Sequence, residues 1–234
     1  MPGRHVRGAL EGPTVTALRV SEIFLSLQGE GPSAGTPAHF VRLQGCDVGC
    51  HWCDTKYSWD ERGGERMELE EIWTRALALG KAPLLVVTGG EPLAQPGLTP
   101  LLEQALARWP RVEVETSGIE PPPLSHARLS YNVSPKLPSA TPRWSETWRH
   151  QAAWIAEPNA TFKLVVGDPP DPEDARRLIA RGGLPRERVM LMPEGITSEG
   201  LRARAATLAA LCTREGLRMS PRLQVWMWGA RRGQ

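Results

Sequence analysis

Residues 38–53 read AHFVRLQGCDVGCHWC. Ala38–Leu43 is a short, mostly apolar run rich in strand formers, and it predicts a buried β-strand. The chain then passes Gly45 and sets Cys46, Cys50 and Cys53 within eight residues. Similar apolar runs recur at Leu84–Thr88, Val112–Glu115, Leu129–Val133, Thr161–Val166 and Val189–Met192. Helical patterns over Leu69–Leu79, Leu98–Trp109, Glu146–Ala156, Pro172–Arg181 and Ser198–Glu215 lie between or after them. Alternating strands and helices predict an α/β fold with a parallel sheet. Pro121–Pro122–Pro123 forbids a regular helix after the third strand, so that crossover is expected to be bare loop. Six strands are too few for the closed eight-stranded barrel. The expectation is an open, partial (β/α)6-type barrel with a reduced set of helices.

The chain has 234 residues, 41% hydrophobic and 23% charged, and fits one globular domain. Residues 1–16 read as a loose N-terminal extension and 17–234 as the domain. A net charge of +2 gives no global reason to expect nucleic acid or a membrane as partner. No apolar run approaches the roughly 20 residues of a membrane helix, and the first residues lack a signal-peptide core. A cytoplasmic location follows as an expectation. There four cysteines are a poor disulfide framework, and three of them clustered point to metal or redox chemistry. Only Lys56, Lys81, Lys136 and Lys163 are lysines, against 28 basic residues in all, so each lysine merits attention.

Ligands of parallel α/β sheets sit at the carboxyl ends of the strands. Those ends carry Gly45–Cys46, Gly89–Gly90–Glu91–Pro92, Thr116–Ser117–Gly118, Ser134–Pro135–Lys136 and Pro193–Glu194–Gly195. Glycines, hydroxyls, a lysine and two acids thus converge on one rim. The cysteine spacing suits a loop wrapped around three irons of a [4Fe-4S] cluster, leaving the fourth iron open. It also suits zinc, completed by His51 or by the remote Cys212. Cys212 lies in the last helical pattern among Leu208, Ala209 and Leu211 and reads as a buried apolar residue.

The three cysteines followed by Gly89–Gly90–Glu91–Pro92 resemble the radical S-adenosylmethionine (SAM) superfamily. The flanking IFLSLQGEGP (23–32), HFVRLQGC (39–46) and Cys53–Asp54–Thr55 are similar to the 7-carboxy-7-deazaguanine synthase family of the queuosine pathway. The resemblance runs from about Ser21 to about Gly229. It implies a lyase that converts 6-carboxy-5,6,7,8-tetrahydropterin into 7-carboxy-7-deazaguanine and ammonia. A 5′-deoxyadenosyl radical made from SAM would abstract hydrogen at C6, and SAM would be regenerated after ring contraction.

The same resemblance implies roles by position. Cys46, Cys50 and Cys53 would hold the cluster, and Thr55 would ligate Mg²⁺ through its hydroxyl. Leu27, Gln28 and Gly29 would hold the pterin edge, Arg42 its carboxylate, and Thr88 would touch the substrate. Gly90, Glu91, Ser117, Ser134, Pro135, Lys136 and the segment Met192, Pro193, Glu194, Gly195 would line the SAM pocket. A homodimer and a flavodoxin- or ferredoxin-type electron donor are implied as partners. One departure stands out: the family often has histidine in an Arg-Leu-His pattern, where this chain has Arg222–Leu223–Gln224. Glutamine can hydrogen-bond but cannot titrate. The competing readings are a glycyl-radical-activating enzyme with the same cysteine spacing and a non-catalytic zinc-binding α/β module.

Overall fold

The computed structural model describes residues 17–229 and 231–234; the expected N-terminal extension lies outside the described residues. One nine-stranded sheet organises them, in the order β3-β1-β2-β4-β5-β6-β7-β8-β9. Its central strands are the six expected ones: β2 (Pro37–Leu43), β4 (Leu84–Gly89), β5 (Arg111–Thr116), β6 (Leu129–Val133), β7 (Ala160–Val166) and β8 (Val189–Pro193). All six pair in parallel. Beyond β8 lies the two-residue parallel strand β9 (Arg218–Met219). At the other side β1 (Ala17–Leu27) runs antiparallel to both β2 and β3 (Glu65–Glu68). The two ends of the sheet do not pair, so the barrel is open.

The sheet's outer face carries the core. Val41, Leu43, Leu85, Val87, Val112, Val114, Tyr131, Leu164 and Leu191 alternate outward from their strands and bury under the helices. Helix α1 (Leu69–Ala78) presents Leu69, Ile72, Trp73 and Ala76, and α2 (Leu98–Arg108) presents Leu98, Leu101, Leu102 and Ala105. Both sets follow the 3.6-residue period of a one-sided helix. Each such leucine or isoleucine contributes roughly 1.5–3 kcal/mol on burial. Helices α4 (Asp171–Gly182) and α5 (Ser198–Glu215) end at Gly183 and Gly216, whose φ of 62° supplies the left-handed cap.

The β5–β6 crossover is loop, as the three prolines require. Trp154 Nε1 donates to the Glu120 carbonyl at 3.0 Å and Tyr131 donates its hydroxyl to the Leu124 carbonyl at 2.6 Å, fastening that loop to the core. The expected helix Glu146–Ala156 is split into a 3-10 turn over Trp144–Trp148 and the short α3 (Gln151–Ala156). A last helix, α6 (Leu223–Trp228), is fastened to the loop after β1 by Leu223 N–H, which donates to the Gly29 carbonyl at 3.0 Å.

The inner face is divided in character. Ala38, Phe40, Leu84 and Val86 on β2 and β4 form an apolar cluster with Phe24, whose ring stacks on Phe40 at 4.7 Å. From β5 to β7 the inward residues are instead Glu113, Glu115, Asn132 and Lys163.

Cys212 lies on α5, 5% exposed, its thiol directed at the Arg218 carbonyl 3.5 Å away. Cys212→Ala should therefore lower stability by only about 1 kcal/mol, as small core truncations do. A denaturant midpoint unchanged in slope but modestly lower would agree; loss of bound iron would give Cys212 a ligand role instead.

Candidate active site

The carboxyl ends of the parallel strands open into a cavity of about 280 Å³, and the three clustered cysteines all line it. Their loop is held by backbone. Cys46 N–H donates to the Trp59 carbonyl at 3.1 Å, Cys53 N–H to Cys50 at 3.1 Å, and Thr141 Oγ1 to the Val48 carbonyl at 2.7 Å. Burial pushes the Cys46 thiol up to about 11, and negative charge on Glu91, Cys50 and Cys53 adds to it. Burial raises Cys50 as well. Such thiols stay protonated near neutral pH until a cationic centre displaces the protons. Neither candidate fourth ligand for zinc is at hand: Cys212 is in the outer core, and His51 is exposed with Nδ1 3.2 Å from the Ala140 carbonyl. Three thiols gathered on one loop at the edge of a cavity are a donor set that fits a four-iron cluster with one open iron.

The Gly-Gly-Glu-Pro segment is explained by contact. An ideal Cβ on Gly90 would come within 2.1 Å of the Gly45 carbonyl oxygen, so glycine lets the β4 loop rest on the cysteine loop. Glu91 N–H then donates to that carbonyl at 2.8 Å. The Glu91 carboxylate, 1% exposed, accepts from Leu93 N–H at 3.0 Å, Thr116 Oγ1 at 2.6 Å and Ser117 N–H at 2.8 Å. It lines the cavity while locking β4 to β5.

Other expected residues are gathered there too. Leu27, Gln28, Gly29, Arg42, Thr55, Thr88, Ser117, Ser134, Lys136 and Met192 line the cavity. Arg42 and Thr88 are register partners on β2 and β4 and so stand side by side. Arg42 gives Nε to Glu22 at 2.7 Å, which leaves its terminal nitrogens for another partner. Burial would raise Glu22, but hydrogen bonding from Tyr57 and the charge of Arg42 hold it below the usual carboxylate range. Lys136 lies 3.1 Å from Ser134 Oγ and over the Trp52 ring at 5.5 Å. Thr55 Oγ1 is 3.5 Å from Cys53 Sγ.

Four expected residues do not line the cavity. Pro135 faces a small void behind β6, against Trp148 and Trp154. Pro193, Glu194 and Gly195 follow Met192 at the rim but offer backbone: the Gly195 carbonyl accepts from Arg222 Nη1 at 2.6 Å and the Glu194 carbonyl from Arg204. The Gln28 amide is committed within the protein, donating to Glu113 and, at 3.1 Å, to Glu115, while its oxygen accepts from Glu30 N–H.

The sequence reading missed a buried ionic network on the same cavity. Lys163 bridges Glu30 and Glu115, each at 2.6 Å. Glu30 also accepts from Arg222 at 3.1 Å and from Gln224 Nε2 at 2.7 Å, and Arg222 pairs with Asp54 on the cysteine loop. Burial would raise Glu30, but Lys163 and Arg222 hold it well below the usual range. Burial would lower Lys163, yet Glu115 and Glu30 hold it above its ordinary value. Glu113, buried beside Glu115, is raised. The scarcity of lysine was the one signal pointing at Lys163. Among the described residues Gln224 Oε1 is buried without a partner, and an ideal Cβ on Gly29 would meet it at 1.8 Å.

Residues 40–131 match the family model of the Radical SAM superfamily. The 7-carboxy-7-deazaguanine synthase of Pyrobaculum aerophilum is 43% identical over 93% of this chain and 97% of its own. That of Halobacterium salinarum is 34% identical over 95% of each. The crystal structure of QueE from Escherichia coli superposes with a TM-score of 0.63 at 27% identity, covering 87% of this chain and 93% of that one. Membership at this identity and coverage sets aside both the glycyl-radical activator and the zinc module. With a three-cysteine loop, a Gly-Gly-Glu-Pro segment packed on it and an open parallel barrel around both, this chain belongs to the 7-carboxy-7-deazaguanine synthase family of radical SAM enzymes.

Proposed function

We propose that this protein converts 6-carboxy-5,6,7,8-tetrahydropterin to 7-carboxy-7-deazaguanine with loss of ammonia. The observation that carries the reading is the meeting, in one cavity, of three cysteines at the end of β2 with the adjacent Arg42 and Thr88. When bound, the [4Fe-4S] cluster and SAM supply the radical that takes hydrogen from C6. Substrate and product differ by one ammonia, so the ring contraction needs no net oxidant.

The chain's own residues bind and orient. Arg42, anchored through Nε, turns its terminal nitrogens to the 6-carboxylate, a fork that matches two oxygens. Thr88 packs beside it, and Leu27 and Gly29 border the pterin with backbone. Gln28 braces that segment through Glu113 and Glu115. Lys136, Ser134 and Glu91 serve the SAM side, with Ser117 and Met192. Thr55 offers its hydroxyl to Mg²⁺, which keeps water or substrate oxygens at its other positions. A flavodoxin- or ferredoxin-type donor reduces the cluster in the cytoplasm. The assembly is a homodimer, as the family resemblance implies.

The direct test is anaerobic incubation of the reconstituted protein with SAM, reductant, Mg²⁺ and carboxytetrahydropterin. The deazapurine and ammonia should appear, at a rate that falls on chelation of Mg²⁺; SAM cleavage without deazapurine would assign another substrate. Replacing Cys46, Cys50 or Cys53 singly by alanine should remove turnover and most of the iron, since each thiolate holds one iron. Arg42→Lys keeps the charge but loses the fork, so KM for the pterin should rise about tenfold with SAM affinity unchanged, ~1.4 kcal/mol of binding. Equal weakening of both ligands would make Arg42 structural.

Gln224 donates to Glu30, and this hydrogen-bonding role needs no titration. Gln224→His should then leave the pH–rate profile unshifted between about pH 6 and 8. A faster enzyme with a new limb in that window would give the family's histidine an acid–base role.

A further inference from the structure

The interior of an open barrel can be filled by apolar side chains, as Ala38, Phe40, Leu84 and Val86 fill it on β2 and β4. On β5 and β7, nearer the carboxyl ends of the strands, the inward side chains are Glu115 and Lys163 instead, with Glu30 reaching in from the loop after β1. A buried ionic trio stabilises a fold less than well-packed hydrocarbon of similar volume does. Its retention at the wall of the substrate cavity calls for a ligand.

The arrangement of hydrogen-bonding groups says which kind. An ammonium has three N–H donors. Lys163 spends two, on Glu30 Oε2 and Glu115 Oε2, and among the described residues no acceptor takes the third. Its side chain is 3% exposed and borders the cavity. Among the described residues each flanking Oε2 accepts only from Lys163, and it keeps room for one further donor. The cavity wall therefore offers a charged donor beside carboxylate acceptors. An aminopyrimidinone edge, with its ring carbonyl next to a ring N–H and an exocyclic amine, is the complementary pattern.

We propose that Lys163 is a specificity-determining residue, donating its third N–H to the pyrimidinone carbonyl oxygen of the substrate while a flanking carboxylate accepts the neighbouring N–H. This rests on the reading of the substrate as a carboxypterin. Arg42 holds one end of the ligand by its carboxylate, and Lys163 reads the other end by its oxygen. The two flanking carboxylates keep Lys163 charged and aimed.

The test compares two ligands by anaerobic calorimetric titration of the reconstituted enzyme with SAM present. One is carboxytetrahydropterin; the other is its 2,4-diamino analogue, in which an amine replaces the carbonyl. The wild type should bind the analogue about 100-fold more weakly or worse, because a buried donor meets a donor, and Lys163→Gln should narrow that ratio to within about fivefold. The double variant Lys163→Gln/Glu30→Gln removes one charge of each sign and keeps the trio's net charge. It should show the same narrowing if the single variant folds poorly. SAM affinity and the thermal midpoint report whether either variant is intact. Equal binding of both ligands by the wild type, or undiminished discrimination in an intact variant, would overturn the role of Lys163. Failure of the wild type to bind carboxytetrahydropterin while still binding SAM would overturn the substrate assignment and this inference together.

Discussion

The hydrogen bond from Glu91 N–H to the Gly45 carbonyl, with Gly90 pressed against the same oxygen, ties the two halves of the site together. On one side of it is the cysteine loop, which has little secondary structure of its own. On the other is β4, a central strand with Leu84, Leu85, Val86 and Val87 fully buried. Only a glycine at position 90 permits the approach, and the buried Glu91 carboxylate then carries the constraint onward to Thr116 and Ser117 at the end of β5. Three strands are thereby aligned at their carboxyl ends before any ligand arrives. A loop that must present three thiolates in fixed directions is positioned by a central strand whose apolar residues are fully buried.

A second constraint is electrostatic. Arg222, Glu30, Lys163 and Glu115 link the C-terminal segment, the loop after β1, β7 and β5, and the pair of Arg222 with Asp54 extends the chain to the cysteine loop. Elements far apart in sequence meet in one network of two cations and three carboxylates whose members are mostly buried. Together with Arg42, which is paired to Glu22, it gives the cavity charged groups in two places, while Phe24 and Phe40 add apolar surface to its wall. A flat heterocycle carrying a carboxylate suits such a shape. Gln224 belongs to this network as well, because its amide donates to Glu30.

The six parallel strands, the bare crossover after β5 and the convergence of the strand ends could all be read from the sequence. Each rests on a local pattern: an apolar run, a proline triplet, glycines at a strand terminus. The strands missed were β1, β3 and β9, whose pairing depends on distant partners; β1 mixes Arg19, Glu22 and Ser26 among its apolar residues and borders an antiparallel strand. The helix α6 was missed because six residues give too little periodicity. Within the site, motif residues were found, but the network that joins Glu30, Lys163 and Arg222 was not. Glu30, Lys163 and Arg222 are separated by 133 and 59 positions, and nothing local in the sequence says that their charges meet. Gln28 and Glu91 were found, but the tasks of their side chains emerge only from partners on neighbouring strands.

The claim on which the account turns is that Cys46, Cys50 and Cys53 hold a cluster with one iron left open to SAM. Electron paramagnetic resonance of the anaerobically reduced protein, recorded before and after SAM is added, tests it most directly. The account predicts a reduced [4Fe-4S] signal whose shape changes when SAM occupies the open iron. A signal indifferent to SAM, or a colourless protein holding zinc at the three cysteines, would contradict it.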